Sequence, residues 1–128
     1  MKRSTDPKRY LSDSESAQVR SAVAQAEQCT SAEIRLLIVR HCWGKLHDKA
    51  RRLFYKHGLD KTADHNAVMI MLVTTNRELL IYGDRGINER VAEGYWDSIR
   101  DQMVARFKAN QAGEGLCDAV QQVGQALA

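Results

Sequence analysis

The chain has little of what would announce a function. It contains one proline, Pro7, two tryptophans and two phenylalanines, and aromatic residues make up only 6% of it. No run approaches the ~18 apolar residues of a membrane-spanning helix. The first residues, Met1-Lys2-Arg3-Ser4-Thr5-Asp6, are basic and polar with no apolar stretch behind them, so no secretory leader is expected and a cytoplasmic location is. The three cysteines, Cys29, Cys42 and Cys117, are odd in number, far apart and form no C-x-x-C pair. That argues against a disulfide framework or a zinc site and for reduced, mostly buried thiols. There is no EF-hand loop, no Gly-rich phosphate loop and no Asp-x-Asp pair.

What is present describes one compact domain. A chain of 128 residues with 44% hydrophobic and 27% charged content is long enough to bury a core. A net charge of +3 does not argue for nucleic acid. Basic residues concentrate between Arg40 and Lys61, where Lys45, Lys49, Arg51, Arg52 and Lys56 face only Asp48 and Asp60. This stretch reads as the solvated face of a helix or as a patch for phosphate or an anionic partner. Few aromatics interleave with it, so no stacking surface for single strands is expected.

Along the chain, residues 1–11 read as a flexible basic arm and 12–128 as the folded domain. Ser12-Asp13-Ser14-Glu15 matches a capping box and opens a helix ending near Gln28. Ala32 to Val39 reads as a strand that begins with alternation and becomes uniformly apolar, which suits burial on both faces. A second helix runs from Leu46 to His57, with Gly58 at the C-terminal cap position. Ala67 to Val73 is a central strand, 74–77 a turn, and Glu78 to Tyr82 a third strand completing a hairpin. A helix from about Glu93 places Trp96, Ile99, Met103 and Phe107 on one stripe, which makes Trp96 a core residue. Gly113 and Gly115 are expected to break it before a last helix from about Glu114.

This order predicts an α/β fold: an αβα sandwich with a mixed sheet, strands one and two parallel, strand three antiparallel, and helices on both faces. The topology gathers Glu33, Asp64 and Asp84 at one sheet rim, beside Glu89, Glu93 and Asp97. The segment Tyr82-Gly83-Asp84-Arg85-Gly86-Ile87-Asn88-Glu89 is its centre. Converging carboxylates repel one another unless neutralised, and a hard cation, Ca²⁺ or Mg²⁺, suits oxygen ligands. Glu33, Asp64, Asp84, Glu89 and Asp97 are therefore the candidate metal ligands. Pairing of Glu33 and Asp84 with Arg35, Arg85 or Arg90 is the alternative. At the opposite rim, His41 beside Cys42 suggests a base and a nucleophile, although neighbouring strand residues point to opposite faces.

Asn66-Ala67-Val68-Met69-Ile70, Asn76-Arg77, Ile81-Tyr82-Gly83-Asp84-Arg85-Gly86-Ile87 and Tyr95-Trp96-Asp97, with Phe107 to Ala119, together resemble the TPM domain family. The resemblance spans roughly Ser14 to Leu127. It implies the αβα sandwich, divalent-cation binding of the kind described for some members, and an acid phosphatase activity reported for one. Ala67 stands where Gly is usual, and His65 where anchored bacterial members carry Asp, with Asp64 one residue earlier. The chain is similar to a short bacterial subtype without transmembrane helix or Gly-rich tail. Two functions follow: a cation-binding adaptor or regulatory module, or a metal-dependent phosphatase-like hydrolase in which Arg85 or Arg90 holds phosphate. A metal-free protein-interaction domain using residues 40–61 is a third.

Overall fold

A computed structural model of the chain describes residues 4–28 and 30–127. Its elements are α1 (Asp13–Glu27), β1 (Ile34–Val39), α2 (Leu46–Lys56), β2 (Val68–Val73), β3 (Glu78–Gly83), the short α3 (Arg85–Asn88), α4 (Tyr95–Lys108) and α5 (Ala112–Leu127), with a 3-10 turn at Leu59–Lys61. The sheet order is β1-β2-β3. β1 and β2 are parallel with Ile34 opposite Val68, and β2 and β3 antiparallel with Val68 opposite Gly83.

Strand alternation divides the side chains between two cores. Ile34, Val68, Ile70, Leu72, Leu79 and Ile81 face a large core shared with α1, α4 and α5. Met69, Met71 and Val73, with Ala67, face a smaller one closed by Ala50, Phe54 and Leu59. β2 is buried on both faces throughout. β1 is not: only Ile34 is fully buried, because β1 lies at the sheet edge. Its apolar run therefore reports half-burial, not the central position that uniform hydrophobicity suggests.

The capping box forms as written. Glu15 N–H donates to Ser12 Oγ at 3.1 Å, and Ser12 N–H donates to Glu15 Oε1 at 3.0 Å. Ser12→Ala is expected to cost about 1 kcal/mol of stability, read as a lower denaturation midpoint in urea with unchanged slope.

Three sequence expectations are corrected. Residues 4–11 pack against the domain: Tyr10 and Leu11 are buried, and the Thr5 carbonyl accepts from Thr74 Oγ1. Gly113 and Gly115 lie inside α5 and do not break it; α4 ends instead at Lys108, and the chain turns at Asn110, whose φ is +57°. The two glycines serve close approach. A Cβ on Gly113 would stand 2.5 Å from the Glu15 carboxylate, and one on Gly115 would stand 2.8 Å from Arg106 Cβ. Of the thiols, Cys42 and Cys117 are half-buried and free, and Cys29 lies outside the described residues.

Candidate functional site

The ladder brings three segments to one rim. Val68 N–H donates to the Glu33 carbonyl, and Asp84 N–H to the Ala67 carbonyl, both at 2.9 Å. Glu33, Ala67 and Asp84 thus form a row just beyond the strands. With strands about 4.8 Å apart, the backbones of Glu33 and Asp84 are separated by roughly 10 Å.

Gly86 ties the segment before β2 to the segment after β3. Its N–H donates to the His65 carbonyl at 2.8 Å. A Cβ at this position would lie 2.2 Å from the Asp64 oxygen and 2.6 Å from the His65 oxygen, so only glycine permits the approach. His65, held at φ +49°, turns its ring onto Asp84.

Asp84 is the buried carboxylate of the rim, 9% exposed. Its Oδ1 accepts from Arg85 N–H at 2.8 Å, capping α3. Its Oδ2 is buried without a hydrogen bond, and the nearest partner is His65 Nδ1 at 3.5 Å. Arg85 Nη2 stands 2.8 Å from His65 Nε2. A guanidinium only donates, so Nε2 accepts and the neutral ring carries its proton on Nδ1, directed at Asp84. Arg85 therefore reaches Asp84 through His65 and through its own backbone, not by a direct ion pair.

The following loop is clamped from the other side. Asn88 Nδ2 donates to the Gly83 carbonyl at 2.9 Å, and Trp96 Nε1 donates to Asn88 Oδ1 at 2.9 Å. Trp96 is half-buried, so its stripe position gives a polar clamp with one packed face in place of the expected core residue. Next to the rim, burial raises the Tyr82 hydroxyl above its ordinary pKa, with Tyr55 and Asp84 adding to the effect against Arg51.

The other candidate ligands are placed as follows. Asp64 Oδ2 accepts from Ser31 Oγ at 3.3 Å, and Ser31 also accepts from Asn66 Nδ2 at 3.3 Å. Glu33 pairs with Arg35 at 2.8 Å and Asp97 with Arg100 at 3.3 Å. Glu89 is exposed at the end of α3. Among the described residues, no three His, Cys, Asp or Glu side chains stand together in a group able to hold a metal ion. Among the described residues the five carboxylates do not converge on one point. At the opposite rim His41 stacks on Trp43, with ring centroids 5.1 Å apart, and Cys42 Sγ lies 3.7 Å from the Gly44 carbonyl. His41 is engaged with Trp43 and not with Cys42.

The roles of His65, Asn88 and Trp96 were not read from the sequence. The signal for the first was present: His65 occupies a position where the family resemblance expects Asp. That its ring would turn onto Asp84 depends on a positive φ, which no local pattern prescribes for His.

The family model of the TPM domain matches residues 4–126. Among solved structures, the chain is similar to the BA42 protein of the psychrophilic bacterium Bizionia argentinensis, at 30% identity and a TM-score of 0.87, over 97% of this chain and 86% of that one. It is also similar in fold to the N-terminal domain of a P. gingivalis protein, at 20% identity and TM-score 0.71, over 91% and 76% of the two chains. The N-terminal domain of the cg2496 protein from Corynebacterium glutamicum matches at 15% identity and TM-score 0.67, over 92% and 74%. No curated protein matches the chain.

Proposed function

The chain belongs to the TPM domain family, and from that premise we propose that it is a binding or regulatory module that takes a divalent cation, Ca²⁺ or Mg²⁺, at the rim around Asp84. The observation that carries this reading is Asp84 Oδ2, a buried carboxylate oxygen that makes no hydrogen bond, with His65 Nδ1 no nearer than 3.5 Å. Such an oxygen is costly to keep in a protein interior, and a hard cation is a favourable partner for it.

The rim fits such an ion in kind. Asp84, Asp64, Glu33, Glu89 and Asp97 supply only oxygen donors, which Ca²⁺ and Mg²⁺ prefer. The fit is incomplete in arrangement, since these groups are not already clustered among the described residues. Glu33 and Asp97 are engaged by Arg35 and Arg100. Both pairs are open to solvent on one side, and solvent-screened pairs are worth only ~0–1 kcal/mol, so an ion of higher charge density competes with them. A site assembled on binding is weak, with Kd on the order of 10⁻⁴–10⁻³ M. The hydrolytic alternative draws no support from Arg85, whose guanidinium lies against His65.

The test is a thermal melt in EDTA, then with rising Ca²⁺ and Mg²⁺. A ligand that binds only the native state stabilises it by ~2.7 kcal/mol at a hundredfold excess over Kd. A saturable rise in midpoint is expected, and Asp84→Asn should abolish most of it. No rise with the unaltered chain would return the rim to salt bridges. A rise that survives in the Asn variant would move the ion away from Asp84.

A further inference from the structure

The outer side of α2 carries a pattern that the rim does not use. Lys45, Lys49, Arg52 and Lys56 are separated by four, three and four positions, which aligns them in one stripe along the helix. Lys45, Arg52 and Lys56 are exposed and Lys49 is half-buried. At 1.5 Å per residue the stripe is roughly 16 Å long. Asp48 is the one acidic residue of α2, and the opposite side of the helix buries Ala50 and Phe54 in the smaller core. Arg51 belongs to the next row and acts on Tyr82.

Two residues before this stripe stands Trp43, 85% exposed. Trp43 and Tyr55, which is 50% exposed, are the large hydrophobic side chains left in solvent among the described residues, the first just before this helix and the second in its last turn. Packing gives no reason for a tryptophan at Trp43, since His41 alone stacks on it. Amphipathic aromatic rings favour a boundary that is apolar on one side and wet on the other.

We propose that this side of the molecule docks on an anionic lipid bilayer, with the Lys45–Lys56 stripe facing the headgroup phosphates and Trp43 entering the interfacial layer. The chemistry of both parts is that of peripheral membrane attachment: clustered cations answer the negative surface potential, and Trp sits at headgroup level. A straight row on a convex helix meets a plane. An acidic motif is read by clustered arginines, whereas three of the four cations here are lysines; single-stranded nucleic acid needs aromatics interleaved with the cations, and Trp43 stands at one end. The inference is independent of the cation reading and is tested with EDTA present throughout.

The experiment is co-sedimentation of the whole chain with vesicles of phosphatidylglycerol mixed with phosphatidylcholine, against phosphatidylcholine alone, with tryptophan emission recorded on the same samples. Binding to the mixed vesicles and a blue shift that Trp43→Ser removes are expected. Each cation near the surface is worth about fivefold in affinity. Lys45→Ala with Arg52→Ala should therefore weaken binding by roughly 25-fold. Arg20→Ala with Lys108→Ala, exposed positions on α1 and α4, removes the same charge and should change it by less than about twofold. All four side chains are exposed, and melts of both variants verify folding. Equal losses in the two double variants would mean generic attraction by net charge and overturn the proposal. Absence of binding to the mixed vesicles would overturn it as well and leave an acidic protein segment as what this side meets. A blue shift that persists in Trp43→Ser would remove Trp43 from the contact.

Discussion

Phe54→Ala is expected to lower the unfolding free energy by about 3–5 kcal/mol, a fall in midpoint of roughly 10–20 °C. Phe54 is completely buried, and its ring lies 4.9 Å from that of Tyr82. The reason for so large an effect is the thinness of the layer it anchors. On the α2 side of the sheet, Ala50 and Phe54 are the residues the helix buries, and Leu59 is the neighbouring plug. Truncating Phe54 leaves a helix held chiefly by an alanine and by partly buried Leu46 and Leu53. Equilibrium unfolding in urea measures the loss. A cost below about 2 kcal/mol would mean that Met69 and Met71 collapse into the space, as flexible methionines can.

Gly86→Ala is the second large effect, about 3 kcal/mol of destabilisation. Gly86 is not among the glycines with positive φ, which are Gly44, Gly58 and Gly94. Backbone conformation alone would therefore make alanine neutral or mildly stabilising, through a smaller unfolded-state entropy. The clash reverses that sign. The added carbon would meet two carbonyl oxygens, those of Asp64 and His65, and a backbone cannot rotate away as a side chain can. Relief requires the 64–65 segment to withdraw, which takes the His65 ring off Asp84. The variant should thus lose stability and also lose any cation-induced rise in melting temperature. A Gly86→Ala chain as stable as the parent would show that the two segments are not in contact in solution.

The parts of the fold that local chemistry governs could be read from the residues. Ser12 and Glu15 specify a helix start wherever they occur together, Gly58 marks a helix end through its φ of +70°, and the alternation in Glu78 to Tyr82 places β3. What resisted reading was set by tertiary partners. β1 and β2 are similar apolar runs, and their difference in burial comes from which one lies in the middle. Gly113 and Gly115 look like helix breakers because the intrinsic cost of glycine is local, while the close approach that favours them lies across the domain in Glu15, Met103 and Arg106. Strand directions fix which ends coincide, and the ladder does set Glu33 and Asp84 at the same end of the sheet. The pairing of Glu33 with Arg35 was among the expectations and forms. The side-chain directions that put His65 between Arg85 and Asp84 follow from backbone angles and rotamers that residue spacing does not encode.

The packing of α1 along α5 has a consequence for the order in which the molecule is made. The Gly113 N–H donates to Glu15 Oε2 across 98 residues of chain, and Tyr95 Oη donates to the Gln122 carbonyl. α1 must wait for α5 to leave the ribosome before its apolar side is covered. At about 5–20 residues per second the interval is roughly 5 to 20 s. During it the hairpin of β2 and β3 has its partner strand and α2 available, because those contacts lie within the middle of the chain. Synthesis therefore exposes the two layers unequally: the thin α2 side can close while translation continues, and the thick side closes only once α5 has emerged.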